Sequence, residues 1–472
     1  MSIIRIETLG CRLNQIESEA AAHYFLKDFD VQMQGLSAKA TEDKNTVLVI
    51  INTCTVTQKA EQKARRIIRL ALKKYENAAL LITGCYAQLS APELLKMDKR
   101  IIVLGGQIKS RLVEVPSLLK NYLEENKWKA EAFADFLNNS IKSKPQEKLN
   151  FPEESFKLVG TSFLSHSRAA LKIQDGCNNN CSYCAIHMAR GHSVSIDAEV
   201  AIKRVQELEE KGNEEVVLTT VNIGQYKSEY KGKEIRFPGL LKLLLENTKT
   251  IRFRISSLYP EVVDDEFCSV IKNERVQPHF HLSVQSGSNN ILKLMNRVYK
   301  AEDVLNACKK LKTAKENPFL ACDIITGFPG ETKEDFDLTY KLCKDCDFTW
   351  IHAFPYSERP GTKAIELPQK VPQSVSDERA RKLNELAVKN KIEYIKLFID
   401  KPMDAILETV KSSQLFAGNI IHYHAVTSNF LHCEIISKET REQRKLVKIK
   451  ILSPMEDRIQ KGGELEARAV FV

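Results

Sequence analysis

The sequence predicts an α/β chain in three parts: an N-terminal parallel-sheet α/β domain, a central partial (β/α)6 barrel and a small C-terminal β-barrel. Three observations predict it. Strand and helix patterns alternate through residues 1–120, which argues a parallel sheet with helices on its faces. They alternate again, in six units, over residues 166–398, where a full eightfold barrel takes about 250 residues. Helical periodicity then gives way to five short strands within residues 399–472, the pattern of a small barrel.

In the first part, Ile3–Thr8 reads as a strand and Asn14–Lys27 as a helix, with Ile16, Ala20 and Tyr24 at helical spacing. Thr46–Asn52 is a β-branched run typical of a strand buried on both faces. Ala60–Tyr75 is a basic helix, and Ala79–Thr83 and Arg100–Leu104 are further strands. Residues 121–165 read as helix and linker, the linker being the polar stretch Ser140–Glu154. The barrel strands are Ala170–Gln174, Glu215–Thr220, Ile251–Ser256, Phe280–Gln285, Leu320–Thr326 and Thr349–Phe354. Helices are expected over Asp197–Lys211, Pro238–Asn247, Pro260–Lys272, Asn289–Lys315 and Lys333–Cys346, with a last long one at Asp377–Phe398. Five strands follow, Met403–Val410, His422–Val426, Phe430–Ile436, Leu446–Ile451 and Glu464–Val470.

Composition narrows the function classes. With 472 residues, 43% hydrophobic and 28% charged, the chain is not disordered as a whole. No apolar run approaches the roughly 18–20 residues of a membrane span, and the N-terminus lacks a secretory signal, so a cytoplasmic protein away from membranes is expected. The net charge of +9 permits a polyanionic partner such as RNA without demanding one. Twelve cysteines is the unusual count, and in a reducing compartment they point to metal or redox chemistry where they cluster.

The tightest cluster is Cys177-Asn-Asn-Asn-Cys181-Ser-Tyr-Cys184, which follows the first barrel strand. Structural zinc sites close their shell with four ligands, and iron–sulfur clusters normally take four thiolates. Three thiols leave one iron open for an outside ligand. The alternatives are chance clustering or a zinc knuckle completed by His187 or His192. A second set is dispersed: Cys11, Cys54 and Cys85 each follow the carboxyl end of a predicted parallel strand, where open α/β folds place ligands. They are either a second three-thiolate site or three independent small residues. Cys343-Lys-Asp-Cys346 lies in a helical pattern and reads as packing, as do Cys268, Cys308, Cys322 and Cys433.

Cys177-x3-Cys181-x2-Cys184 resembles the radical S-adenosylmethionine (SAM) motif, and with Cys11, Cys54 and Cys85 the chain is similar to the methylthiotransferases. The resemblance spans nearly the whole chain, including a C-terminal barrel similar to the RNA-binding TRAM domain. Family branches act on isopentenyl-adenosine in tRNA, on threonylcarbamoyl-adenosine in tRNA, or on an aspartate of a ribosomal protein. Thr8-Leu-Gly-Cys-Arg-Leu-Asn14 with Glu17-Ser-Glu19, and Phe354-Pro-Tyr-Ser-Glu-Arg-Pro-Gly-Thr362, look most like the threonylcarbamoyl-adenosine branch. The chain departs from the family at His187 and Ser283, where proline is usual.

The resemblance implies two [4Fe-4S] clusters. The one on Cys177, Cys181 and Cys184 serves SAM cleavage to a 5′-deoxyadenosyl radical, which takes hydrogen from C2 of the adenine. The one on Cys11, Cys54 and Cys85 supplies sulfur, methylated by another SAM. An unactivated aromatic C–H is beyond side-chain acid–base chemistry, so a cofactor must carry the step. The resemblance further implies tRNA as substrate, an electron donor such as flavodoxin or ferredoxin, and a monomer. No side chain is assigned as catalytic in itself. Candidates for the SAM pocket are Tyr183, Asn222 to Gly224, Gln285 with Ser286 and Gly287, and Asp323 to Gly327. Arg190 and Arg297 suit a SAM carboxylate or RNA phosphate, against the alternative of structural ion pairs. In the C-terminal barrel Arg444, Lys445 and Lys448 suit phosphates, and Tyr423, Phe416 and Phe430 suit base stacking, against the alternative of a solvated face with core aromatics. The helix carrying Lys59, Lys63, Arg65, Arg66, Arg69, Lys73 and Lys74 is a second basic surface, or simply a solvent face. A different class of reading is a non-catalytic RNA-binding protein whose cysteines hold zinc.

Overall fold

The computed structural model describes residues 2–33, 45–55, 57–143, 155–158, 168–408 and 420–472. It forms two compact units. One is Met1–Ser165 with Lys172–Asp197 and Ser357–Thr362, and the other is His166–Leu171 with Ala198–Tyr356 and Lys363–Val472. Contacts therefore place the loop of Cys177, Cys181 and Cys184 with the N-terminal sheet.

The N-terminal sheet holds β1 (Ile3–Thr8), β2 (Asp30–Gln32), β3 (Thr46–Thr53), β4 (Ala79–Gly84) and β5 (Ile101–Gly105) in the order β2-β1-β3-β4-β5, every pair parallel. Its continuous apolar strands have a direct cause. Alternate residues of a strand point to opposite faces, and here both faces are covered. Leu48 and Ile50 of β3, with Ala79 and Leu81 of β4, enter a core built with the helices Arg12–Phe25, Val115–Glu125 and Ala130–Ser143. Val49, Ile51, Leu80 and Ile82 enter the opposite core, with the helix Gln58–Lys74. That helix buries Ala64, Ile67, Ile68 and Ala71 and exposes Lys59, Lys63, Arg66, Arg69 and Lys73, an amphipathic face of ordinary kind.

The second unit is a curved run of strands. β6 (Ala169–Lys172) starts it, while Gln174–Asp175 (β7) and Val194–Ser195 (β8), which pair antiparallel around the cysteine loop, belong to the first unit. β9 (Glu215–Thr219) comes next, then a hairpin of β10 (Lys227–Tyr230) and β11 (Lys233–Arg236). β12 (Arg252–Ile255) and β13 (Ser257–Leu258) are one strand interrupted at Ser256, followed by β14 (His279–Gln285), β15 (Phe319–Thr326) and β16 (Trp350–Pro355). The sheets run β12-β9-β6 and β13-β14-β15-β16, a six-strand partial barrel. The chain then takes the 24-residue helix Gln373–Lys396 into the small barrel of β17 (Pro402–Leu407), β18 (Ile421–Thr427), β19 (His432–Ser437), β20 (Leu446–Pro454) and β21 (Ala467–Phe471). That barrel is closed in the order β17-β18-β19-β21-β20.

Several expected elements are broken. Asn289–Lys315 becomes two helices, Asn289–Leu294 and Ala301–Ala314, because Asn296 takes φ +57° between them. Pro260–Lys272 becomes a short 3-10 turn and the helix Asp265–Ile271, restarted by Asp264, whose carboxylate accepts from Phe267 N at 2.7 Å. The hairpin β10–β11 is additional to the expected elements; its turn residues Lys231 and Gly232 both have positive φ, and Lys231 is a weak turn signal. The expected linker falls largely outside the described residues, at 144–154, and so does Phe416.

The helix Lys333–Asp345 and its C-cap carry Cys343 and Cys346, buried as packing residues. The Cys346 sulfur faces Cys308 and the Cys343 sulfur faces Cys322, and these contacts with burial push the Cys308 and Cys322 thiols well up. Such thiols are inert. Alanine at Cys343 or Cys346 is expected to leave iron content unchanged on elemental analysis, at a stability cost of roughly 1 kcal/mol.

Candidate active site

The carboxyl ends of β1, β3 and β4 lie level, with Thr8 opposite Asn52 and Asn52 opposite Thr83. The three dispersed cysteines leave the sheet at that common edge. Cys11 caps the helix Arg12–Phe25, Cys54 follows β3, and Cys85 opens the short helix Cys85–Leu89. Gly10, at φ +102°, lets the first turn come down on Cys54: a Cβ there would stand 2.9 Å from the Cys54 sulfur. Gly84, at φ +93°, presses likewise on the backbone of Thr53.

Asparagines fix this edge. Asn14 Nδ2 donates to Leu9 O (2.9 Å) and Thr53 O (3.0 Å), tying the Cys11 turn to the Cys54 turn. Asn52 Nδ2 donates to Asn14 O (3.0 Å) and Ser18 Oγ (3.1 Å). Burial pushes the Cys85 thiol up, while the nearby cations Arg190 and Lys109 favour its thiolate.

The contiguous triad sits on a loop held at both ends. Cys177 N donates to Gly191 O (3.1 Å) and Cys184 N to Cys181 O (3.1 Å). The sulfurs accept in turn, Cys177 from Asn179 N and Cys184 from Ile186 N, both at 3.4 Å. Gly176 is required, since a Cβ would collide with the His192 carbonyl. A cavity of about 630 Å³ opens beside the loop, lined by Cys177, Asn179, His187, Met188 and Arg190 among others. His187 Nδ1 is buried there with no hydrogen-bond partner among the described residues.

A buried charge network lies under both triads. Glu17 and Asp175 face Lys109, Lys172 and Arg190, with side chains all nearly inaccessible. Lys172 Nζ is 3.3 Å from Glu17 and 3.0 Å from Asp175, and Arg190 Nη1 is 3.3 Å and 2.9 Å from the same two. Burial alone would raise Glu17, yet Lys109, Arg190 and Lys172 hold its carboxyl at about 2. Asp175 is likewise held well below the usual carboxylate range against its burial. Three cations against two carboxylates leave positive charge facing the cysteines. Arg190 is raised well above its ordinary value: burial opposes, but Asp175 and Glu17 outweigh it, with Cys85 and Cys11 adding to them. A set of six soft sulfur donors with buried cations behind it fits an anionic iron–sulfur cluster better than a hard cation.

The sequence expectations fare unevenly around this site. Arg190 spends its guanidinium on Glu17, Asp175 and Asn14 Oδ1 (2.7 Å), so its expected part in holding a SAM carboxylate gives way to the ion-pair alternative. Tyr183 lies half-buried within the cysteine loop. In the second unit, Asn222 caps a 3-10 turn by accepting from Gly224 N at 3.1 Å, and Gln285 takes φ +68° at the end of β14. Asp323 pairs with His281 Nε2 at 2.9 Å. Ser286 and Gly287 are held against the helix Lys333–Asp345: the Ser286 hydroxyl and Gly287 N both bond Thr339 Oγ1, so these two groups are already engaged. Arg297 is packed between Tyr259 and Tyr299 and donates to Ser283 O, a structural role. Gly327 and Gly330, both at positive φ, make a tight turn, with Glu331 accepting from Gly327 N.

Tyr423 is corrected outright. It is buried in the core of the small barrel and its hydroxyl donates to Glu439 O (2.9 Å), so it cannot stack on a base. Phe430 is packed against His279 and beneath Arg168 and Arg254, and is equally spent. Arg444 and Lys448 are exposed and Lys445 half-buried, with Lys448 paired to Asp404 at 2.6 Å. Sequence reasoning missed the charge network. Its one local signal was Lys172, a charge closing the apolar strand Ala169–Lys172.

The model of the radical SAM superfamily matches residues 171–343, and that of the uncharacterized protein family UPF0004 matches residues 3–105. A threonylcarbamoyladenosine tRNA methylthiotransferase MtaB of Treponema pallidum is 42% identical over 86% of this chain and 91% of its own length. The chain belongs to the radical SAM methylthiotransferases. The MtaB of Bacillus subtilis is 33% identical over 96% of this chain and 94% of its own, and a tRNA-2-methylthio-N(6)-dimethylallyladenosine synthase of Treponema denticola is 32% identical over 85% and 88%. Among solved structures, the apo form of the cobalamin-dependent radical enzyme OxsB (TM-score 0.51, 14% identity, 84% of this chain and 56% of that one) shares the fold. So does TsrM from Kitasatospora setae (TM-score 0.51, 13% identity, 77% and 74%). The methylthiotransferase thus takes SAM and an iron–sulfur cluster as cofactors. No helix among its described residues is long and apolar enough to cross a membrane.

Proposed function

We propose that this methylthiotransferase places a methylthio group on C2 of N6-threonylcarbamoyladenosine 37 in tRNA. The observation that carries the reading is the identity of 42% to an MtaB relative over 86% of the chain, against 32% to a dimethylallyladenosine synthase over 85%. Cys177, Cys181 and Cys184 hold one [4Fe-4S] cluster with SAM, and Cys11, Cys54 and Cys85 hold a second. When bound, the two clusters supply one-electron cleavage of SAM and the sulfur atom, respectively. The chain's own residues do the rest. Asn14 and Asn52 fix the dispersed triad, and Lys109 and Arg190 offset its negative charge. Gly176 sets the loop of the other triad, and the adjacent cavity is of a size suited to a ligand. Arg444, Lys445 and Lys448 meet the tRNA backbone as point charges. An outside one-electron donor, such as a flavodoxin or a ferredoxin, feeds a cytoplasmic monomer.

The test is anaerobic reaction of cluster-loaded protein with tRNA carrying threonylcarbamoyladenosine, followed by nucleoside mass analysis. A gain of one methylthio group on that nucleoside is expected. Reaction only with isopentenyladenosine tRNA, or with no tRNA, refutes the reading.

A further inference from the structure

The small barrel carries a cluster of metal-ligating side chains far in sequence from any of the six cysteines. On β18 and β19, Val426 pairs with His432 and His424 pairs with Glu434, so both histidines lie on the face opposite the barrel core, which takes Tyr423, Ala425, Cys433 and Ile435. His424 Nε2 and His432 Nδ1 are 2.9 Å apart. Glu464, on the segment leading into β21, completes the group: one ligand atom from each of the three lies within 4.8 Å of the others. We propose that His424, His432 and Glu464 form a divalent-metal site of the kind that suits zinc, clamping the β18–β19 pair to the chain before β21.

Charge favours it. Three cations stand close, Arg168, Arg254 and Lys391, but each is already matched: Arg168 to Glu408 (3.1 Å), Arg254 to Glu215 (2.7 and 2.9 Å), Lys391 to Glu466. Glu464 has no such cation at ion-pair distance among the described residues, so its charge is left for a metal. Two histidines and a glutamate are a recurrent zinc set with an open fourth position. A cavity of about 250 Å³, lined by His432, Gly463 and Glu466 among others, adjoins the group and has room for a water there. Zinc–nitrogen bonds of about 2.0–2.1 Å ask the two imidazoles to part by only a few tenths of an ångström.

The test uses the full chain with its iron loaded anaerobically, equilibrated with zinc and freed of loose metal. Elemental analysis is expected to give about one zinc per chain besides iron, and the zinc absorption edge to show nitrogen and oxygen ligands with no sulfur. The double substitution His424→Ala with His432→Ala is expected to lose the zinc and keep the iron. Because His432 is buried, Glu464→Gln serves as the second variant: at 74% side-chain exposure it does not threaten folding, and it should weaken zinc by more than about tenfold. Zinc absent from iron-loaded protein, sulfur in its shell, or zinc held unchanged by Glu464→Gln would overturn the site.

Discussion

Alanine in place of Cys177, Cys181 or Cys184 is expected to abolish SAM cleavage and with it all product. Each supplies one of three sulfurs on a single loop, and Cys11, Cys54 and Cys85 belong to other turns. The loss is of the whole rate and not a fraction of it, since no side-chain acid or base reaches an aromatic C–H bond. Formation of 5′-deoxyadenosine measures it, and iron should fall by about four atoms per chain. A variant that still cleaves SAM at even a tenth of the parent rate would remove the triad from the reaction.

Arg190→Ala is expected to cost about 3–5 kcal/mol of folding stability, the penalty for breaking a buried, hydrogen-bonded charge network by removing one member. Glu17 and Asp175 would keep Lys109 and Lys172 but lose the group that also ties Asn14, and so the Cys11 turn, to the loop of Cys177. The pH dependence follows from the carboxyls. Both are depressed in the folded state, so the contribution of Glu17 is fully present above its ordinary 4.5 and is lost as pH falls through about 2, while that of Asp175 is present above its ordinary 3.8 and is lost only well below it. Denaturant midpoints across that window measure it. A change under about 1 kcal/mol for Arg190→Ala would mean that Lys109 and Lys172 alone balance the two carboxylates.

What the sequence disclosed depended on how local the signal was. β3 and β4 are legible because both faces are buried, which forces unbroken apolar runs. The dispersed cysteines are legible because the same strand-then-turn context recurs three times, twice with a glycine that lets the backbone close in. The charge network is not, since Glu17, Lys109, Lys172, Asp175 and Arg190 meet only after the chain folds. Tyr423 misled for a related reason. Strand alternation puts Tyr423, Ala425 and Thr427 on one face of β18 and His422, His424 and Val426 on the other, and both faces mix polar with apolar residues. Closure of the barrel decides which faces inward. For Arg190 the sequence leaves an outside anion and a structural ion pair both open, and only the fold supplies Glu17 and Asp175.

Replacing Cys11, Cys54 and Cys85 together by alanine separates the two triads in one measurement. Iron content, 5′-deoxyadenosine and modified nucleosides are followed in the same anaerobic sample. The account predicts about four irons remaining of about eight, SAM still cleaved, and no methylthio nucleoside formed. Undiminished iron, or methylthio product at the parent level, would contradict it.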